Sequence, residues 1–138
     1  TVGYTLTTLN DDDRKNYELH SSSVGDRISA LEELRRNGVR TYIFIAPVLP
    51  FITDQEENLR SMIETSAKIG VEYVNIDRLN LRQGVWKPVM SFLEKHYPEL
   101  VPKYRDIFPE KSNAYYEELK AKVNKICKQI GVRNIFCY

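Results

Sequence analysis

Asn37-Gly38-Val39-Arg40-Thr41-Tyr42-Ile43-Phe44-Ile45 decides the fold. In it a glycine closes a helical pattern, and a β-branched and aromatic run follows at once. Ile69-Gly70-Val71-Glu72-Tyr73-Val74-Asn75-Ile76 and Ile130-Gly131-Val132-Arg133-Asn134-Ile135-Phe136 repeat the arrangement. Glycine suits the position just past a helix C-terminus because it takes positive φ without a Cβ penalty. The three glycines are spaced by roughly one and two units of about 30 residues, the length of a βα unit. A further strand is expected from Val2 to Thr8, with no helix before it. Strands alternating with helices predict a parallel sheet covered by helices. Three or four strands are too few to close a barrel, so the expectation is an α/β fold. It is either part of a (β/α) barrel or a small open sheet, in one domain spanning residues 1–138.

The connecting helices are legible. Val24, Ile28, Leu31 and Leu34 recur at helical spacing after the cap-like Ser21-Ser22-Ser23. Thr53-Asp54-Gln55-Glu56 reads as a capping box ahead of the stripe Leu59, Met62, Ile63, Ser66 and Ala67. Val85 to His96 predicts another helix, with Pro88 in its first turn. Pro98, Pro102 and Pro109 punctuate the stretch to Lys111. Tyr116, Leu119, Val123, Ile126, Cys127 and Ile130 mark a last amphipathic helix, with Lys120, Lys122, Lys125 and Lys128 expected on a solvated face.

Composition narrows the class. The 138 residues carry 20 Lys+Arg and 19 Asp+Glu, a formal net charge of +1, with 42% hydrophobic and 28% charged residues. These are globular values, incompatible with a disordered or collagen-like chain. The longest apolar run, Tyr42 to Leu49, contains Pro47 and falls far short of the ~18 residues a membrane span needs. No membrane partner is expected. The chain starts at Thr1 with no initiator Met and no signal sequence, which reads as processing or excision. Cys127 and Cys137 form neither a disulfide framework nor a zinc signature, so a reducing, cytoplasmic setting is expected. A near-neutral chain gives no argument for binding nucleic acid itself.

Ligands of (β/α) proteins sit at the carboxyl ends of the strands. That rule selects Thr5, Thr7 and Thr8 after the first strand, Ala46-Pro47-Val48-Leu49-Pro50 after the second, and Asp77, Arg78 and Asn80 after the third. Together they can hold a nucleoside: hydroxyls for a ribose, an apolar shelf for an adenine, a cation for a carboxylate. Each also has a plainer role. Threonine suits strands, proline ends them, and Arg78 can pair with Asp77 or another carboxylate. Glu18 lies in a loop expected to lean over the carboxyl face. Arg27, in a helix first turn, opposes the helix dipole and needs a partner: Asp26, Glu18 or an anionic ligand. His20 reads as a cap or a solvent-facing residue, and Cys127 as a small core residue. No phosphate loop, nucleophile elbow or His-Glu-x-x-His occurs, and no catalytic residue is identified.

The order of motifs resembles one family. Gly3-Tyr4-Thr5-Leu6-Thr7-Thr8-Leu9 is followed by Tyr17-Glu18-Leu19-His20-Ser21, Arg27-Ile28-x-Ala30-Leu31, Asn37-Gly38-Val39 and Ala46-Pro47-Val48-Leu49-Pro50, ending in Asp54. Arg78-Leu79, Phe92-Leu93, Pro98 and Tyr115-Tyr116 continue it. This resembles the radical S-adenosylmethionine proteins of the DNA repair photolyase group, relatives of spore photoproduct lyase. The chain departs from that pattern at Leu19 and at Ser22 or Ser23, where the family has prolines. It also lacks the family's Cys-x-x-x-Cys-x-x-Cys loop, which holds a [4Fe–4S] cluster.

The resemblance implies that the chain is the C-terminal half of a (β/α)6 partial barrel of TIM type, starting at its fourth strand. The parent would bind S-adenosylmethionine on a [4Fe–4S] cluster, and one electron would yield a 5′-deoxyadenosyl radical that abstracts hydrogen. Thr5, Thr7, Thr8, Glu18 and Arg27 would contact ribose and carboxylate, Ala46, Val48 and Leu49 would line the adenine, and Arg78 would add charge. Repair of a DNA photolesion by a lyase is the implied parent activity, with nucleic acid a partner of the parent only. This chain alone is expected to be inactive, since its two cysteines cannot ligate the cluster. The expected partner is the missing N-terminal half-barrel. Without it, self-association is expected through the first-strand edge or the concave face. The alternative is an independent, non-catalytic α/β domain that binds a nucleotide or a partner subunit.

Overall fold

The computed structural model describes residues 1–82, 84–108 and 110–138, so the expected break at Pro109 lies outside the described residues. Four strands, β1 (Val2–Leu6), β2 (Thr41–Val48), β3 (Tyr73–Arg78) and β4 (Asn134–Phe136), form one sheet in sequence order. All three pairings are parallel, as the repeated helix–glycine–strand passages predict. Among the described residues six α-helices accompany them: α1 (Asp11–Tyr17), α2 (Val24–Arg36), α3 (Glu56–Ile69), α4 (Trp86–His96), α5 (Val101–Ile107) and α6 (Ser112–Ile130). A 3₁₀ turn, Pro98–Leu100, joins α4 to α5. α3 and α6 end on Gly70 and Gly131 at φ +78° and +85°, the left-handed conformation that releases the chain into the next strand.

Register fixes what each face carries. Leu6, Ile45, Ile76 and Phe136 form one row, and Tyr4, Ile43, Val74 and Asn134 the neighbouring one. Leu6, Ile43, Ile45, Val74 and Ile76 are buried, in one core with Val24 and Leu31 of α2, Leu59, Met62 and Ile63 of α3, and Val123 and Ile126 of α6. The intervening rows, Gly3–Tyr42–Tyr73 and Thr5–Phe44–Asn75–Ile135, point to the other face, and none of these residues is buried. Helices therefore cover one face and leave the other half-open, as in a partial barrel. On that open face the Tyr42 and Tyr73 rings stack with centroids 5.2 Å apart. A Cβ at Gly3 would lie 2.5 Å from the Tyr42 ring, which accounts for glycine in mid-strand.

Several local expectations need correction. β1 stops at Leu6, not Thr8. Thr7 and Thr8 leave the ladder, and the Thr8 hydroxyl accepts the Asn10 amide at 3.1 Å. The Thr53–Glu56 capping box does not form: α3 starts at Glu56 behind Gln55, which makes no side-chain cap bond. The Thr53 hydroxyl is buried and taken by a nearer orphan donor, the Leu49 amide at 2.7 Å. That bond folds residues 49–53 into a tight turn, with Phe51 at φ +62°. β2 does not end before Pro47 but runs to Val48, with a register shift after Ile45 where proline offers no ladder donor. Asp77 and Arg78 are the last residues of β3 and do not follow it. On α6, Lys125 and Lys128 are exposed, whereas Lys122 donates to the Asp54 carbonyl at 2.9 Å and Lys120 pairs with Glu117. Ser23 caps α2 as expected, its hydroxyl accepting the Asp26 amide at 3.0 Å. Among the described residues, no helix is long and apolar enough to cross a membrane.

Candidate functional site

A cavity of about 480 Å³ opens at the carboxyl ends of β1 and β2, walled by α1, α4 and α5. Pockets of roughly 300–1,000 Å³ hold small molecules and cofactors. Ala46, Pro47, Leu49, Ile52, Val89 and Phe92 supply an apolar wall; Thr5, Thr7, Asn16 and Glu18 supply polar groups at one side. Tyr104 of α5 is buried at its floor and donates to the Pro50 carbonyl at 2.8 Å, tying α5 to the turn after β2.

Glu18 reaches the cavity because α1 delivers it. Asn10 caps that helix with its side chain, accepting the Asp12 and Asp13 amides at 2.9 and 3.3 Å, and acidic side chains fill the first turn. The helix ends at Tyr17, where Arg14 clamps the exit. Arg14 Nη1 donates to the carbonyls of Glu18 and Ser21 at 3.1 and 3.0 Å, and Arg14 Nε pairs with Asp11 at 2.5 Å. Asp11 in turn accepts the amide of Val24, fastening α1 to α2.

The Glu18 carboxylate is held from two sides. Thr7 donates its hydroxyl to Oε1, and Arg27 Nη2 lies 2.5 Å from Oε2. Arg27 is 5% exposed, and its Nη1 donates to the Thr5 carbonyl at 2.7 Å. Of the partners open to Arg27, the structure selects Glu18; Asp26 instead accepts the Ser23 hydroxyl at 2.7 Å. The Arg27 charge is paired with Glu18, the second of the partners open to it, and Arg27 holds that carboxylate from behind. Burial pushes the Glu18 carboxyl up, but the bonds from Arg27, Thr7 and Ser21 outweigh it, and the group titrates below its ordinary 4.5. An ionised carboxylate has about four acceptor sites. Those left over suit neutral O–H donors, such as a diol, and repel anions.

Lowered titration in the folded state means that this carboxylate stabilises the protein above pH 4.5 and loses that contribution as pH falls through the lowered value. The expected result is that Glu18→Gln narrows the stability difference between neutral and acid pH relative to the parent. Urea unfolding at both pH values checks it; equal pH dependence in the two proteins contradicts it.

Of the residues expected at the site, Thr5, Thr7, Glu18, Ala46 and Leu49 line the cavity together. The others do not. Thr8 bonds the Asn10 amide, Val48 is 1% exposed in the core because the register shift after Ile45 turns it inward, and Arg27 stands behind Glu18. Arg78 lines a different cavity of about 340 Å³. It does not ion-pair with Asp77, whose carboxylate accepts the Arg78 backbone amide at 2.8 Å. Asp54, closing the proline-rich motif, is buried and accepts the Tyr115 hydroxyl, so it anchors the turn to α6. Sequence reading missed Asn16, Tyr17, Phe92 and Tyr104, which α1, α4 and α5 carry to the strand ends. Only the Asn10-Asp11-Asp12-Asp13 start signal of α1 was there to be read.

The thiols do not fit a [4Fe–4S] cluster, which takes several closely placed thiolates. Cys127 is buried in α6, and burial pushes its thiol up to about 11; Cys137 lies exposed beyond β4. Among the described residues, no group of three His, Cys, Asp or Glu side chains is placed to hold a metal.

Comparison with known proteins gives a distant link. A protein of Pseudomonas phage M6 named radical SAM Nalpha-GlyT isomerase is 28% identical over 143 aligned positions, covering 96% of this chain and 29% of its own length. An uncharacterized protein of Mycobacterium tuberculosis (strain ATCC 25618 / H37Rv) is 31% identical over 100 residues, 70% of this chain and 29% of the relative. One from Methanocaldococcus jannaschii is 32% identical over 98 residues, 71% of this chain and 35% of the relative. The chain therefore spans about a third of the length of the curated relatives it matches. No family model matches it, and no solved structure matches it significantly.

Proposed function

We propose that this chain belongs to a radical S-adenosylmethionine enzyme and that the cavity beside Glu18 holds the cofactor's nucleoside. The observation that carries the reading is the Glu18 carboxylate, fixed by Thr7 and Arg27 at the strand ends opposite an apolar wall. Glu18 accepts ribose hydroxyls, the Thr5 and Thr7 edge orients the sugar, and the Ala46–Leu49 shelf takes the flat base and keeps water from it. The named likeness to the phage isomerase supports the same class. In this class the cofactor supplies a hydrogen-abstracting radical when bound to its reduced cluster. The cysteines for that cluster lie, on this reading, in another part of a protein as long as the relatives. The motif order from Gly3 to Asp54 favours a parent resembling the DNA repair photolyases, with a DNA lesion as substrate. The half-open sheet face and the β1 edge, where Val2 and Tyr4 are 41% and 37% exposed, are where the rest of the barrel docks. In its absence a second copy takes that place, and sedimentation equilibrium of the isolated chain should show concentration-dependent mass.

Chemical-shift mapping tests the site. S-adenosylmethionine or 5′-deoxyadenosine added to the labelled chain is expected to bind weakly, shifting amides at Thr5–Thr8, Asn16–Glu18 and Ala46–Leu49. Glu18→Gln should reduce those shifts. Shifts confined to the amino-terminal ends of the strands contradict the assignment.

A further inference from the structure

Arg78 closes β3 in an arrangement that the nucleoside cavity does not use. Its guanidinium carbon lies 5.1 Å from the Tyr116 ring centroid and 5.3 Å from that of Tyr138. Aromatic contact of this kind suits the faces of a guanidinium and leaves its N–H edges free to donate. Among the described residues no carboxylate ion-pairs with it, and no acceptor takes its side-chain N–H groups. The neighbouring charges are otherwise engaged: Asp77 accepts a backbone amide, and Lys120 pairs with Glu117 at 3.1 Å. Arg78 is half-buried, so the charge is partly desolvated with no carboxylate in direct contact with its guanidinium among the described residues. It opens on a cavity of about 340 Å³ lined also by Leu81, Trp86 and Phe108 and by the exposed Asn80 and Asn113. Asn113 stands in the first turn of α6, a 19-residue helix whose N-terminus carries no side-chain cap bond and so adds a positive end to the same place.

We propose that this second cavity binds a ligand with an anionic group on a flat, apolar body. The phosphate or carboxylate sits on the Arg78 fork, the body lies against the Trp86 and Phe108 rings, which meet edge to face with centroids 6.4 Å apart, and Asn80 and Asn113 offer amides to its polar edge. Leu79 lines both cavities, so this ligand lies next to the nucleoside cavity. Naming it the substrate rests on the function proposed above; the anion site itself does not.

Trp86 is the only tryptophan in the chain and lines this cavity, so intrinsic fluorescence reports on it. The probes are phenyl phosphate, benzoate and inorganic phosphate, with benzyl alcohol as the uncharged control. Phenyl phosphate or benzoate should change Trp86 emission saturably, and whichever binds tighter identifies the anion. Benzyl alcohol and inorganic phosphate should bind more weakly. Arg78→Gln should raise the Kd of the tighter probe by at least about tenfold, the loss expected for a charge-assisted pair, while Arg78→Lys retains part of the affinity. Circular dichroism establishes that both variants are folded. The proposal is overturned if no probe gives a saturable change, if Arg78→Gln binds as the parent does, or if inorganic phosphate or benzyl alcohol binds as tightly as phenyl phosphate and benzoate. The two readings separate in one further measurement. Arg78→Gln should leave the 5′-deoxyadenosine shifts at Thr5–Glu18 unchanged, and their absence in the parent chain would count against the nucleoside site alone.

Discussion

Arg27→Met is expected to lower the unfolding free energy by about 2–3 kcal/mol, at or just below the ~3–5 kcal/mol that removing one partner of a fully buried pair costs, because Glu18 keeps some contact with water. Methionine fills much of the same volume, so the loss is one of charge and hydrogen bonds. The substitution strands the Glu18 carboxylate, whose side chain is 22% exposed, and leaves the Thr5 carbonyl without its donor at 2.7 Å. Pairing it with Glu18→Gln removes the stranded charge and should recover about half of the loss, since a neutral amide is cheaper to leave beside an apolar side chain. Urea midpoints at constant slope measure both variants. An Arg27→Met protein as stable as the parent would mean that the pair is not what holds the loop to α2. Nucleoside binding should fall along with stability, because the carboxylate would no longer be fixed against the cavity.

Tyr104→Ala is expected to cost about 3–5 kcal/mol, the range for truncating a buried aromatic side chain. Tyr104 is 1% exposed, packs against Phe51 and Phe108 with ring centroids 6.4 and 5.9 Å away, and donates to the Pro50 carbonyl. Burial raises its hydroxyl well above the ordinary 10.0, with Asp54 adding to the effect, so the group stays a neutral donor through any working pH. Tyr104→Phe separates the two contributions: it keeps the ring and forfeits the bond, for about 1–3 kcal/mol. Thermal or urea unfolding of both variants checks the ranking. Equal effects would mean that the hydrogen bond, and not the packing, fixes α5.

The parallel sheet was readable because Gly38, Gly70 and Gly131 each mark the same passage from helix to strand, and β-branched runs follow them. Local chemistry was less readable where two partners competed. Thr53 is spaced for a cap with Glu56 yet bonds Leu49, because the turn after β2 brings a buried amide closer than the helix start does. Arg27 had three partners open to it, and only the path of α1, fixed by Arg14, decides for Glu18. Val48 has a place at the end of a strand that suits a site residue, but the register shift after Ile45 turns it into the core while Ala46 and Leu49 line the cavity. The far wall, from Phe92 to Tyr104, depends on how α4 and α5 fold back over the strand ends, which no spacing rule gives.

Radical chemistry on S-adenosylmethionine is the activity proposed for the longer protein, and it admits a direct test. That test is product analysis on the full-length protein, purified without oxygen, reconstituted with iron and sulfide, and reduced with dithionite in the presence of S-adenosylmethionine. The account predicts that 5′-deoxyadenosine accumulates, and that Glu18→Gln lowers its rate of formation. A reduced protein that turns over no S-adenosylmethionine would contradict it.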